Sequence, residues 1–359
     1  MWAYLLLLLF MLLCIIGMFI YLLHKTKKII NNKIKNKWIY RMVLLSPILL
    51  FFIGFMIDSI NSIVVYIHFF LFSLLIELIL IKKKNIKPYI SLAIGLILTT
   101  IWLSYGYYMA HHVVETNYTI FSKKDIGVDN FRIVQISDSH IGATMNGDDF
   151  AKYMKLVSNS NPDIVVITGD YVDDNTAYSD MIKGCEALGK IKTKYGVYFV
   201  YGNHDKGYSN YRDFNDEILR KELKKNNIII LEDEYINITD DIVLVGRQDA
   251  EVKDRLSAIK LTQDIDKNKY IIMLDHQPND YDNEVLSKSD LVLSGHTHGG
   301  QLIPLNVMQL FIKVNDKTYG LEKRKDTTFI VNSGLGDWAI KFKTGSKSEY
   351  VVIDIRKGD

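Results

Sequence analysis

Hydrophobic positions along this chain fall into two regimes. Over residues 1–110 they are nearly continuous, in four runs at 2–23, 42–57, 60–81 and 89–110, separated by lysine-rich or very short breaks. About 20 apolar residues cross a bilayer as a helix, so four membrane spans are expected. Three spans with a re-entrant second segment is the alternative, because the second run is short and stops at Asp58. From about residue 122 the pattern changes. Runs at 131–136, 164–168, 197–201, 242–245, 270–274 and 291–293 read as short buried strands, while 149–158, 177–190 and 211–225 have helical spacing with charged outer faces. Strand–helix alternation of this kind predicts an α/β domain over residues 126–359, with 111–125 as a linker. Two later runs, 328–332 and 350–355, arrive without intervening helices, which predicts a second, more antiparallel sheet.

The polar breaks orient the apolar part. Lys25, Lys27, Lys28, Lys33, Lys35, Lys37 and Arg41 follow the first run, and Lys82, Lys83, Lys84 and Lys87 follow the third. Positive loops stay in the cytoplasm, so an even number of spans places residues 126–359 on the extracytoplasmic side of a multi-pass cell-membrane protein. The first run lacks a preceding positive charge and a small-residue cleavage site, which argues against a cleaved signal. His68 and Glu77 are the ionisable groups inside the third run. Glu77 is within reach of Lys82 at the interface and His68 can pack as a satisfied core residue, so neither is read as a site.

Composition adds mainly exclusions. The net charge of +2 comes with no basic block outside the membrane loops, which argues against a nucleic-acid partner. Nothing in the pattern calls for an obligate protein partner. The two cysteines, Cys14 and Cys185, lie in different regimes and form no disulfide framework.

Chemistry enters at the strand ends. Ser137-Asp138-Ser139-His140 follows the first buried strand, and Gly169-Asp170-Tyr171-Val172-Asp173 the second. Gly202-Asn203-His204-Asp205 follows the third, Asp275-His276-Gln277-Pro278 the strand at 270–274, and Gly295-His296-Thr297-His298-Gly299-Gly300-Gln301 the strand at 291–293. Ligand sites of open α/β sheets sit at the carboxyl ends of strands, so the five clusters can converge. Of nine histidines, all five in the later segment, His140, His204, His276, His296 and His298, fall in these clusters. The donor set of carboxylates, imidazoles and one amide, without thiolate, suits manganese, iron or zinc, manganese first. It exceeds what one tetrahedral ion needs and fits two divalent cations sharing a carboxylate, roughly 3.5–4 Å apart, an arrangement that clamps phosphorus in an in-line displacement. Water between two cations loses a proton near neutral pH, so the task left to a side chain is protonation of the leaving oxygen by a histidine beside the metals.

The blocks Asp138-X-His140, Gly169-Asp170-X-X-Asp173, Gly202-Asn203-His204-Asp205, His276 and Gly295-His296-X-His298 resemble the five-motif signature of calcineurin-like metallophosphoesterases over residues 130–355. The extended GHTHGGQ stretch and Asn332-Ser333-Gly334-Leu335-Gly336 are similar to the membrane-associated bacterial branch of that superfamily. The resemblance implies a four-layer α-β-β-α sandwich of two mixed sheets. It implies that Asp138, His140 and His298 hold one metal, that Asn203, His276 and His296 hold the other, and that Asp170 bridges them. It further implies His204 as general acid with Asp205 orienting its ring, and Asp173 in support. Where the Ser/Thr protein phosphatases of the superfamily carry a phosphate-gripping arginine after the second block, this chain has Asp174, which disfavours a phosphoprotein.

The expected function is therefore a membrane-anchored, dinuclear metal-dependent phosphohydrolase cleaving a phosphodiester, pyrophosphate or phosphomonoester, with a lipid-linked or envelope substrate in view. The alternative is a catalytically silent membrane receptor or regulatory module. The apolar stretch 302–311 reads either as a loop toward lipid or as packed core, and Arg247 either as a phosphate contact or as a surface partner of Asp249.

Overall fold

The computed structural model describes residues 2–80, 87–303 and 314–358. In chain order the elements are α1 (Trp2–Ile30), α2 (Lys37–Ile57), α3 (Ser59–Leu80), α4 (Tyr89–His111), β1 (Val114–Ser122), β2 (Asn130–Ile136), α5 (Gly147–Asn159), β3 (Ile164–Thr168), α6 (Tyr178–Gly189), β4 (Val197–Val200) and α7 (Asp216–Lys225). They continue with β5 (Ile228–Ile230), β6 (Glu234–Asn237), β7 (Ile242–Gly246), α8 (Ala258–Thr262), β8 (Tyr270–Leu274), α9 (Tyr281–Leu286), β9 (Leu291–Ser294), β10 (Gly320–Arg324), β11 (Thr327–Val331) and β12 (Glu349–Lys357). The chain divides into two compact units, 1–106 and 107–359.

In the first unit, the described residues include three helices long and apolar enough to cross a membrane, α2, α3 and α4. The first expected span lies within helix α1, whose earliest side chains fall outside the described residues. Apolar side chains such as Leu49, Leu50, Ile97 and Ile101 stand exposed on these helices, as a lipid-facing surface requires. Inside, Phe51 packs edge-on against Phe19 and Tyr66. The charge of Glu77 is met by Lys25 at 2.6 Å; Lys82, its expected partner, lies outside the described residues, as do Ile81, Lys83 and Lys84. His68 is satisfied by the Val64 carbonyl oxygen at 2.8 Å.

The second unit has four layers. One sheet runs β1-β12-β2-β3-β4-β5 and the other β10-β11-β9-β8-β7-β6. Side chains alternate between the two faces of each strand. In the first sheet Val134, Val165 and Ile167 face α5, α6 and α7 through Phe150, Met154, Cys185 and Leu219. Ile133, Ile164 and Val166 face the other sheet, where they meet Leu244, Ile272 and Leu293. In the second sheet Val243, Val245, Ile271 and Met273 turn outward to Ala258 and Leu261 of α8 and Tyr281 of α9. The α-β-β-α sandwich expected from the strand-end motifs is thus present, with mixed sheets.

Three expectations need correction. The second sheet is mainly parallel, through β7, β8, β9 and β11, and antiparallel only at its edge pairs β6–β7 and β10–β11. The run at 350–355 returns to the first sheet as β12, parallel to β1 and antiparallel to β2. Residues 111–125, read as a linker, contain β1, whose polar outward positions (Glu115, Asn117, Thr119) mask an edge strand in the sequence.

Candidate metal centre

The loops following β2, β3, β4, β8 and β9 meet at one end of the sandwich, joined by backbone hydrogen bonds that extend beyond the strands. Asp138 N–H donates to Gly169 O at 2.9 Å and His140 N–H to Asp170 O at 3.0 Å, tying the first two loops together. Gly295 N–H reaches His276 O at 3.0 Å, and Leu335 and Gly336 N–H reach Ser137 O and Asp138 O at 2.8 and 2.9 Å. Between sheets, His296 N–H donates to both Asp138 carboxylate oxygens at 2.9 and 3.0 Å. Such close approach needs glycine. A Cβ on Gly169, at φ +87°, would stand 2.6 Å from Gly202 N and from His276 Nδ1, and one on Gly295 would stand 2.2 Å from Asp138 Oδ2.

Two groups of donors result. Asp138, His140 and His298 present ligand atoms within 4.8 Å of one another, and so do Asp170, His276 and His296. Asn203 joins the second group, its Oδ1 lying 3.2 Å from His276 Nε2 and 3.1 Å from His296 Nδ1. Asp170 stands between the groups: its Oδ2 is 3.2 Å from His276 Nε2 and 3.6 Å from His140 Nε2. All seven residues expected as metal ligands lie together at this end of the sandwich. A third trio, His140, Asp173 and His204, shares His140. Asp173 there approaches His140 Nδ1 at 3.3 Å, on the ring edge away from the other donors.

Five of these seven residues carry positive φ: Asp138 at 48°, His140 at 38°, Asp170 at 51°, His296 at 71° and His298 at 50°. Left-handed backbone costs about 1–2 kcal/mol at a residue other than glycine. Five such positions at one site represent strain stored where the chemistry is, which marks the site as functional.

The electrostatics ask for positive charge. Burial pushes His140 down, but the carboxylates of Asp173, Asp170 and Asp138 outweigh it and hold the imidazole up at about 8. His276 is likewise buried, yet Asp170 raises it well above its ordinary value. Burial raises the carboxyl of Asp170, but His276, His140 and His204 draw it well below the usual range. His296 and His298 are pushed down to about 4 and about 3, chiefly by burial, so they stay neutral with lone pairs available to a cation. His140 Nε2 is buried and has no hydrogen-bond partner among the described residues. A buried cluster with an orphaned imidazole nitrogen, neutral histidines and buried carboxylates fits divalent cations.

The expected general acid, His204, sits at the rim, half-covered by rings. Tyr208 stacks on it at 5.3 Å and Trp338 lies at 5.6 Å. Its orienting partner differs from the expectation. Asp205 is buried and accepts from Tyr171, Val172 and Gly202 N–H at 2.9, 3.1 and 2.8 Å. That is a loop-building role, in which both carboxylate oxygens are turned to backbone amides. His204 Nδ1 instead meets Asp174 Oδ1 at 2.9 Å. Asp174, singled out in the sequence only as a departure from the arginine of protein phosphatases, is the carboxylate that sets this ring.

Arg247 does not pair with Asp249 on the surface. It is buried and bound to Asp275 at 2.8 Å, Asp280 at 2.9 Å and Glu284 at 3.3 Å, while Asp249 accepts from Gln277. Beside Asn203 lies a cavity of about 180 Å³ lined by Tyr201, Lys206, Gln248, Asp249 and Val252 among others. Of the apolar stretch 302–311, Leu302 is buried and Ile303 exposed, and 304–311 lie outside the described residues.

Residues 131–300 match the family described as calcineurin-like phosphoesterase. Over 283 residues the chain is 30% identical to an uncharacterized metallophosphoesterase of Helicobacter pylori, covering 75% of this chain and 70% of that one. It is 31% identical over 242 residues to an uncharacterized metallophosphoesterase of Campylobacter jejuni, covering 65% and 60% of the two chains. A Danio rerio transmembrane protein with a metallophosphoesterase domain is 29% identical over 282 residues, covering 74% and 62%. The chain thus spans about 60% of the length of the Campylobacter and Danio relatives.

Proposed function

Because the chain belongs to the calcineurin-like phosphoesterase family, we propose that it hydrolyses a phosphodiester, pyrophosphate or phosphomonoester using two divalent cations, manganese first and iron or zinc next. Asp138, His140 and His298 would hold one cation, Asn203, His276 and His296 the other, with Asp170 available to both. The observation that carries this reading is the single Asp170 oxygen standing between Nε2 of His140 and Nε2 of His276. When bound, the cations polarise the phosphoryl group and lower the pKa of water.

The chain's own residues supply the rest. His204 protonates the leaving oxygen: as the bond from water oxygen to phosphorus forms and the ester bond breaks, the proton on Nε2 passes to the departing alkoxide. Asp174 accepts from Nδ1–H and stabilises the imidazolium, whose other proton, on Nε2, is the one handed over. Tyr208 and Trp338 limit how far the ring can swing. The cavity beside Asn203 takes the part of the substrate next to the phosphoryl group. Apolar helices and transmembrane-named relatives point to a membrane protein, and the lysine-rich loops favour the extracytoplasmic side, where a lipid-linked or envelope phosphoester would be met.

Purified full-length protein in detergent should hydrolyse bis(p-nitrophenyl) phosphate with added Mn²⁺, and Asp170→Ala should abolish turnover. Absence of hydrolysis of any phosphoester with two cations bound contradicts the reading. For orientation, a membrane-impermeant thiol reagent should label a cysteine placed at residues 206–212 in intact cells, against a background in which native Cys185 is buried. Labelling only after the membrane is opened puts the domain inside.

A further inference from the structure

Behind His298 lies a buried ion pair that the reaction described above does not use. Lys343 and Asp337 are both 0% exposed, with Lys343 Nζ 3.2 Å from Asp337 Oδ1. The ammonium also donates to Ser333 O at 2.7 Å, Gly336 O at 3.2 Å and Ser348 Oγ at 3.2 Å, which anchors it against the turn at 333–336. Burying a lysine without such partners is prohibitive, so its position is tightly determined.

Asp337 faces the other way as well. Its Oδ1 is 3.4 Å from His298 Nδ1, while His298 Nε2 lies 3.7 Å from Asp138 Oδ1, on the side of the other donors. Among the described residues, His298 Nδ1 and both Asp337 oxygens are buried without a completed hydrogen bond, Asp337 Oδ1 facing the Lys343 ammonium at 3.2 Å. These atoms can satisfy one another after a shift of a few tenths of an ångström, as the ring seats on a cation.

We propose that Asp337, held by Lys343, is the positioning residue for His298: it accepts Nδ1–H and so leaves the Nε2 lone pair aimed at the cation of the Asp138–His140–His298 half. Metal-binding histidines commonly place their second nitrogen on such a partner, and removing it costs about 10- to 100-fold in affinity. The other half is built without this pair, since His276 Nδ1 is 2.8 Å from the Thr168 backbone carbonyl oxygen. The effect is therefore confined to one of two ions.

The inference rests on the two-cation reading, and the test separates the two. Mn²⁺ alone is titrated into metal-free full-length protein by calorimetry, with electron paramagnetic resonance of the loaded state. Wild type should take up two ions with the signal of a spin-coupled pair; uptake of fewer than two sinks the reading on which the inference rests. Asp337→Ala should keep one ion at wild-type affinity, weaken the other about 10- to 100-fold, and show single-ion signals at one equivalent per chain. Asp337→Asn keeps the shape, an acceptor oxygen and the Lys343 carbonyl contacts, and should recover most of the lost affinity. It also keeps the test open if the alanine variant fails to fold, because the asparagine form must then still weaken one ion measurably. Wild-type affinity for both ions in the variants, or parallel loss of both, overturns the assignment.

Discussion

The two halves of the centre are built from similar side chains but backed differently. Behind Asp138, His140 and His298 stand two buried carboxylates, Asp173 at 3.3 Å from His140 and Asp337 at 3.4 Å from His298. Behind the group of Asn203, His276 and His296 the support is the Thr168 backbone carbonyl oxygen at His276 Nδ1. A carboxylate partner makes an imidazole a more basic ligand than a carbonyl does. The comparison teaches that one half is tuned by side chains far along the chain, whereas the other is set by the strand ends themselves. It also makes the first half the one that point substitutions behind the ligands can adjust.

The most severe break in that comparison is Asp170→Ala, which removes the group common to both halves. Both ions should be lost on gel filtration, and hydrolysis should fall by roughly a thousandfold or more, since the metal contribution is several kcal/mol. Retention of one tightly bound ion in this variant would show that Asp170 belongs to one half alone.

His204→Ala should leave both halves loaded and lower turnover by about 10²- to 10⁴-fold, the usual share of a general acid. Loss should shrink for a substrate whose leaving group is a nitrophenolate, which needs little protonation. An equal loss with good and poor leaving groups counts against proton donation.

Asp173→Asn probes the carboxylate backing directly. Affinity for the ion at His140 should fall about tenfold, at the mild end of the range for such partners, with the ion at His276 unaffected. Metal-competition titrations against a fluorescent chelator distinguish the two ions. The smallest change is expected from Asp174→Asn, which keeps an acceptor for Nδ1–H of His204. Turnover should drop by about tenfold or less with both ions in place. Metal loss in this variant would move Asp174 from the proton donor to the centre itself.

Much of this is legible in the amino-acid sequence because the ligands of both halves and the bridging residue follow buried strands directly. Asp170 comes two residues after β3 ends, and His276 two residues after β8. A run such as IVVIT announces its own burial, and the residues after it inherit a position. The rest was hidden for physical reasons. Asp337 and Lys343 lie between β11 and β12 in an irregular segment with no period to read, and only the return of β12 to the first sheet closes that segment over His298. Adjacency in sequence favours Asp205 as the partner of His204, while the turn at Gly202–Asp205 points that carboxylate back into the Tyr171 and Val172 amides. Edge strands β1, β6 and β10 alternate polar and partly buried residues, so they lack the apolar signal of the central strands. Left-handed φ at Asp138, His140 and His298 leaves no trace in composition at all.

The central claim is that one reaction needs both halves filled. It is tested most directly by following bis(p-nitrophenyl) phosphate hydrolysis while Mn²⁺ is titrated into metal-free full-length protein, with bound metal counted at each point. The account predicts little turnover at one equivalent and a steep rise as the second ion binds. Full activity at one ion per chain, or none with two bound, would contradict it.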